Sequence, residues 1–458
     1  MDPNSVSDPD RVADAGPASG RDALRSEPPT LSEVFSASGR IGVLSFGGPA
    51  GQIALMHRVY VDEKKWLSEQ QYLSALNFCM LLPGPEAMQL ATYVGWRVGG
   101  VIGGIISGLL FVLPGAAVIL ALSAIYAAFG SVPLVAAIFI GIKAAVLAIV
   151  LDALLKVAKR ALKLNSDWVI AAMAFVAIFA FNVPFPLIIL TAAIFGFLRA
   201  SFGGDWTREP NLSVPLVGGE GNLKGLGSTL QTVVVWLAVW LVPLALLTLM
   251  LGSEHVLSQV AWFFSKLAVV TFGGAYAVLA YMAQQAVENY AWLKPGQMLD
   301  GLGLAETTPG PLILVTEFVG FLAGFQAGGW GLAIAAAFVT LWATFAPCFL
   351  WIFVGAPYVE WLNAQPKLRG SLSAVTAAVV GVILNLSVWF ALNVLFGALD
   401  RQQMGQLDVS LPVLSSFNVQ TGGLALLAAL MLFGLRAGVL TTLAVVAAGG
   451  LLLGVLAG

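Results

Sequence analysis

The sequence predicts an all-α polytopic membrane protein made of two inverted-topology repeats with broken or re-entrant helices. Three observations predict it: a composition too apolar for a soluble domain, an internal duplication, and a glycine-proline break inside apolar sequence in each copy. The 458 residues are 59% hydrophobic and only 10% charged, with a mean hydropathy of +0.90, which places the chain in the lipid bilayer. Glycines spread through apolar runs suit close helix packing there, since small residues let backbones approach. A formal net charge of −2 argues against a nucleic-acid partner.

The duplication is gapless over the central motif. Leu44–Pro85 aligns with Val270–Pro311 at a constant offset of 226 residues, which carries Phe46-Gly47-Gly48 onto Phe272-Gly273-Gly274. The same offset carries Trp66-Leu67 onto Trp292-Leu293, Gln71 onto Gln297, and Pro83-Gly84-Pro85 onto Pro309-Gly310-Pro311. With small gaps the match continues, Gly95 on Gly320, Pro114 on Pro347, Pro133 on Pro366, Lys143 on Thr376 and Asp152 on Asn385. A duplicated fold with interrupted apolar helices is the outline of a secondary transporter.

In chain order, residues 1–30 read as a disordered polar tail, rich in Asp, Pro and Ser and without signal-peptide features. Residues 31–200 form the first transporter repeat. It holds two broken elements, Ser32–Val61 and Glu69–Arg97, long spans near 98–128 and 132–158, and a closing helix pair near 167–182 and 184–199. A polar Gly/Pro-rich linker follows at 201–225, then an extra transmembrane helix at 226–251 with no counterpart in the first repeat. One unpaired span is enough to invert the second repeat, 252–458. That repeat carries its own broken pair, spans near 329–356 and 367–397, and closing helices near 411–434 and 436–457.

Each broken element divides into arms of about 12–14 residues, which reach only about 20 Å at the helical rise. A bilayer core of about 30 Å exceeds that, so the breaks fall near the midplane of either re-entrant hairpins or kinked spans. Lysine and arginine placement bears on the choice. With a cytoplasmic N-terminus and re-entrant hairpins, Arg58, Lys64, Lys65, Arg97, Lys156, Lys159, Arg160, Lys163, Arg199, Arg208, Lys224, Lys367, Arg369 and Arg436 fall inside. Lys294 and Arg401 fall outside. Kinked spans would move the Arg58–Lys65 loop outside, so the charges favour hairpins; both arrangements end with an external C-terminus.

With FGG, Trp and PGP repeated at fixed spacing, and Gly95-Trp96-Arg97 and Pro114 downstream, the chain resembles the chromate ion transporter family in its long two-domain form. The resemblance covers nearly everything from Leu31 onward. It implies a multi-pass protein of the bacterial inner membrane that exports chromate, driven by the membrane potential or a proton gradient, and so confers chromate resistance. Sulfate or another oxyanion, taken up or exchanged, remains an alternative substrate, because family members differ.

A tetrahedral dianion in a membrane needs hydrogen-bond donors and positive potential, and broken helices supply both at the first turn after the break. The expected substrate-binding residues are therefore Gly47, Gly48, Gly84, Pro85, Gly273, Gly274, Gly310 and Pro311. Proline suits the first helical position, where its missing N–H costs nothing, although PGP can also simply kink a helix. Thr307 and Thr308 stand where repeat one has Leu81 and Leu82; their hydroxyls either donate to the oxyanion or bond back to their own helix.

Lys143 sits deep in its span and is expected either to attract the anion or to neutralise a carboxylate. Arg97 is a further candidate for the anion path, or an interfacial anchor. Arg40 and His57 read as interfacial, and Asp152 as the partner of Lys156 one turn on. Glu86, Glu306 and Glu317 are the proton-coupling candidates, since a carboxylate in a partly dry site gains affinity for protons. For Glu86 the alternative is stabilisation of its helix N-terminus.

Cys79 and Cys348 lie alone in different apolar segments, with no redox or metal spacing. No phosphate-cradling loop, HExxH or GxSxG motif occurs, so no catalytic, metal or cofactor site is expected. A passive anion channel is the competing non-carrier reading, and a homodimer is an arrangement the sequence leaves open.

Overall fold

The computed structural model describes residues 28–46, 48–130, 132–202, 226–272, 275–363, 365–405 and 407–457. Most of the expected tail and linker lies outside these residues, as do Gly47, Gly273, Gly274, Arg208 and Lys224.

Repeat one opens with α1 (Leu31–Leu44), whose start is set by a reciprocal cap: the Thr30 hydroxyl accepts the Glu33 N–H, and the Glu33 carboxylate accepts the Thr30 N–H. After the FGG break come α2 (Gly48–His57), extended by a π-helical turn (Arg58–Glu63), and α3 (Glu69–Leu81), capped in the same way by Ser68 and Gln71. The PGP break leads to α4 (Glu86–Phe129), followed by α5 (Pro133–Ala161), α6 (Asn165–Phe181) and α7 (Phe185–Ser201). Between the repeats runs α8 (Leu226–Leu251). Repeat two contains α9 (Val256–Val270), α10 (Ala275–Gln284), α11 (Pro295–Thr307), α12 (Val315–Gly328), α13 (Trp330–Gly355), α14 (Val359–Asn363), α15 (Pro366–Leu395), α16 (Val419–Ala429) and α17 (Val439–Ala457). Among the described residues six helices are long and apolar enough to cross a membrane: α4, α5, α8, α13, α15 and α17.

The broken elements fold back as hairpins. Phe78 of α3 meets Tyr93 of α4 with ring centroids 6.1 Å apart, so the arms flanking the first PGP lie side by side. In the second copy Phe318 of α12 covers Gly301 of α11, where a methyl would stand 2.4 Å from its ring. Further along, Gln326 Nε2 reaches Gln297 Oε1 at 3.4 Å. The element holding α1 and α2 also returns on itself, since Arg40 pairs with Glu63 at 2.6 Å.

A second reversal follows each PGP arm. Helix α4 is divided at Gly99 and Gly100, the latter at φ 64°, ψ −159°, and its two limbs lie antiparallel with a methyl on Gly95 falling 2.4 Å from Gly103 O. Gly329 makes the corresponding bend between α12 and α13 at φ 76°, ψ −158°, a region closed to other residues without strain. The second limb of α4 then runs antiparallel to α13, Gly104 under Phe353 and Gly108 under Phe349. The two bends therefore lie at opposite ends of the bundle, called here the near end (Gly99–Gly100) and the far end (Gly329).

Each repeat's closing helices pack on the other repeat's long helix. Gly141 of α5 lies against Val446 of α17, while Gly196 of α7 meets Gly370 of α15 and Gly381 of α15 meets Ala171 of α6. In each case the glycine Cα sits where a methyl would clash with facing backbone, the small-residue packing lipid requires.

One expected element differs. The helix near 411–434 begins instead at Val419, where the Asn418 side chain accepts the Thr421 N–H. Ahead of it an antiparallel hairpin pairs β1 (Leu399–Met404) with β2 (Leu407–Pro412), clasped by Arg401 Nε donating to Asp408 Oδ1 at 2.8 Å. Pro412 cannot donate within a helix, and the polar–apolar alternation before it suits a strand.

Candidate functional site

The breaks of the two repeats meet through a reciprocal exchange of backbone hydrogen bonds. The Gly84 N–H donates to Thr271 O at 2.8 Å, and the Gly310 N–H donates to Ser45 O at 2.9 Å. Each PGP tip is thus tied to the residue just before the other repeat's FGG, and the 226-residue offset maps one bond onto the other. Gly84 and Gly310 take φ of 116° and 88° to turn their N–H outward. Pro85 and Pro311 follow as extended residues heading the next helical turn. Gly115 of α4 supports the second tip so closely that a methyl there would stand 2.2 Å from Pro309 O. Gly48 heads α2 at φ 71°.

Repeat one adds two buried carboxamides that sequence reasoning missed. Gln52 Nε2 donates to Gly310 O at 2.6 Å, and Gln89 Nε2 donates to Pro83 O at 2.6 Å. Each Nε2 carries a second hydrogen beyond these bonds, which is the part of the amide that can donate to an anion, while the two side-chain oxygens, acceptors only, and the buried Ser45 hydroxyl have no protein partner among the described residues. The N-cap residues Pro85 and Pro311 supply no side-chain cap to the turns that follow; in α4 the Glu86 carboxylate takes up its own backbone N–H, and the first-turn donors beyond it face the tip. Backbone amides, carboxamides and a hydroxyl without a fixed cation can hold an anion and still release it. The duplication could not reveal the glutamines, because the offset maps them onto Val278 and Val315.

The other expected residues fall in three places. Thr307 and Thr308 border the second tip, but their hydroxyls bond back to Leu304 O and Ala305 O at 2.7 and 3.0 Å. Glu306, one residue earlier, accepts the Tyr276 hydroxyl at 2.7 Å. Glu86 begins α4 half-buried, within electrostatic reach of Arg160. Glu317 is 1% exposed, and its Oε2 has no partner among the described residues.

Lys143 stands apart from the tips, toward the far end. Its Nζ lies 3.3 Å from Asp300 Oδ1, while the Tyr126 hydroxyl donates to Asp300 Oδ2 at 2.8 Å. Of the two roles expected for Lys143, the contact it makes is with a carboxylate. Asp300 escaped sequence reasoning, although two opposite charges inside apolar segments were a signal for the pair. Arg97 is exposed beside the Gly99–Gly100 bend and is not brought to the tips. Lys266 of α9, another residue overlooked in the sequence, is exposed four residues before its helix ends. Asp152 pairs with Lys156 at 2.6 Å, and His57 pairs with Glu69.

Comparison with known proteins gives one family. Residues 32–197 and 258–455 match the family model described as chromate transporter. A chromate transport protein of Cupriavidus metallidurans is 30% identical over 357 residues, covering 77% of this chain and 81% of that one. A chromate transport protein of Pseudomonas aeruginosa is 31% identical, covering 78% and 80%. An uncharacterized transporter of Methanocaldococcus jannaschii is 26% identical, covering 80% and 86%. No solved structure matches the chain.

Proposed function

This chain belongs to the chromate transporter family, and from that premise we propose that it is a secondary active carrier that exports chromate from the cytoplasm and so confers resistance. The observation that carries the reading is the reciprocal pair of bonds joining the PGP tips to Ser45 and Thr271. At the second tip stand Gln52 and Ser45 and at the first stands Gln89, each beside a helix start that follows a break. There the oxyanion is held by backbone and amide donors and by the positive ends of short helices. Thr307 and Thr308 join when their helix turn loosens.

The placement of positive charge supports export. The Lys64–Lys65 loop, the ends of α5 and α7 and the start of α15 all lie at the near end, and with them Lys156, Lys159, Arg160, Arg199, Lys367 and Arg369. The positive-inside rule makes that end cytoplasmic, and the same cations draw an anion toward the site. The opposed bends at Gly99–Gly100 and Gly329 support inverted repeats, the symmetry from which alternating access arises. Glu306, Glu317 and Glu86 are the groups that take up protons during the cycle.

Everted membrane vesicles test the reading. With an imposed proton gradient they should concentrate chromate, and collapse of the gradient should abolish accumulation. Accumulation of sulfate without chromate would transfer the assignment to sulfate, and flux indifferent to the gradient would make the protein a channel.

A further inference from the structure

We propose that Lys143, Asp300 and Tyr126 form a latch that closes the far face of the carrier, and that the near face, which lacks such a latch, stands open in this structure. The inference rests on the carrier reading. The cluster joins α5 and α4 of repeat one to α11 of repeat two, with Lys143 Nζ 3.3 Å from Asp300 Oδ1 and the Tyr126 hydroxyl 2.8 Å from Oδ2. Around it α11 packs tightly on α5. A methyl on Gly303 would stand 2.1 Å from Ile142 Cγ2, one on Gly296 would stand 3.6 Å from Lys143 Nζ, and Leu299 is 1% exposed.

The same helix face in repeat one is not covered. Leu73 of α3, the counterpart of Leu299, is 46% exposed, and Met80, the counterpart of Glu306, is 42% exposed. On α2, Ala54 is exposed while its counterpart Ala280 is 6% exposed. The open α3 face also carries Gln70 and Asn77, amides that hydrocarbon would leave unsatisfied and that a water-filled crevice hydrates. They replace Gly296 and Gly303, so α3 cannot approach α15 as closely as α11 approaches α5. Where the latch has Asp300 and Lys143, the near face has Ser74 and Thr376, which cannot form an ion pair.

An ion pair whose carboxylate is buried and whose lysine is only part-exposed suits a reversible closure. Removing one partner strands the other in a dry site, whereas opening the face hydrates both together. With Ser74 and Thr376 at the corresponding positions the near face has no ion pair there, so the carrier at rest opens toward the near end and loads its anion there.

The test uses the full chain with Cys79→Ala and Cys348→Ala, carrying either Leu73→Cys or Leu299→Cys, in vesicles of both orientations treated with a membrane-impermeant maleimide. Leu73→Cys should label promptly from the near side, and Leu299→Cys slowly from either side. Asp300→Asn should speed labelling of Leu299→Cys from the far side by about tenfold, and Tyr126→Phe, which keeps both charges, by about threefold. The exchange Lys143→Asp with Asp300→Lys should restore protection. Labelling of Leu299→Cys unchanged by both Asp300→Asn and Tyr126→Phe overturns the latch. The carrier reading stands or falls separately: chromate accumulation by the parent chain with no change in labelling between it and the Asp300→Asn and Tyr126→Phe variants removes the latch alone, and the labelling pattern without chromate flux removes the carrier alone.

Discussion

Gly84 and Gly310 combine a left-handed backbone with a crowded side-chain position, and each donates the bond that ties one repeat to the other. A methyl on Gly84 would meet Gln89 Nε2 at 2.8 Å and Cys348 Sγ at 3.0 Å; one on Gly310 would meet Leu314 Cδ1 at 3.0 Å. Replacing either by alanine should cost about 1–3 kcal/mol of local strain and lower chromate flux in vesicles by more than the loss of folded protein accounts for. Gln52→Leu and Gln89→Leu remove neutral hydrogen-bonding groups at the same point. Each is expected to raise the KM for chromate by about tenfold, with expression preserved, as follows when a substrate hydrogen bond worth about 1–2 kcal/mol is lost. The PGP glycines were legible because they occur twice at one spacing. Gln52 and Asp300 were not, because each matters through a partner distant in sequence, nor was Gln89, whose partner Pro83 comes into reach only once the break is folded; none of the three has a like counterpart in the other repeat.

At the scale of elements, the hairpins turn on glycines that admit no side chain, and α4 holds the second PGP tip in place through Gly115. Gly115→Val is expected to destabilise the purified protein by about 1–3 kcal/mol by overpacking against Pro309 O, read as a lower melting temperature in detergent. Lys156→Ala, which breaks a surface-side pair with Asp152, should change stability by no more than about 1 kcal/mol. Long apolar spans were legible from length alone, and α5, α8, α13 and α15 begin and end close to the expected bounds. Hairpins and kinked spans share one hydropathy pattern, however, and only contacts such as Phe78 with Tyr93 separate them. The β1–β2 hairpin was hidden because its second strand merges into the apolar run of α16, where Pro412 and Asn418 were the only punctuation.

For the whole molecule, interleaving is the organising fact. The closing helices of each repeat grip the other repeat's long helix, and the PGP tip of each is bonded ahead of the other's FGG, so neither half completes a site alone. The halves have also diverged, with carboxamides at the tips from repeat one, the Glu306–Tyr276 bond from repeat two, and an ion pair between them toward the far end. Glu306→Gln should therefore leave chromate exchange across vesicles at equal concentrations measurable while abolishing accumulation driven by a proton gradient. Equal loss of both would place Glu306 in binding rather than coupling. The central claim, that the oxyanion is held where the broken helices cross, is tested most directly by binding of radiolabelled chromate to the purified chain. Saturable binding should reach one chromate per chain, displaced by excess unlabelled chromate, and should be lost in the folded Gln52→Leu/Gln89→Leu double variant; undiminished binding in that variant would contradict the account.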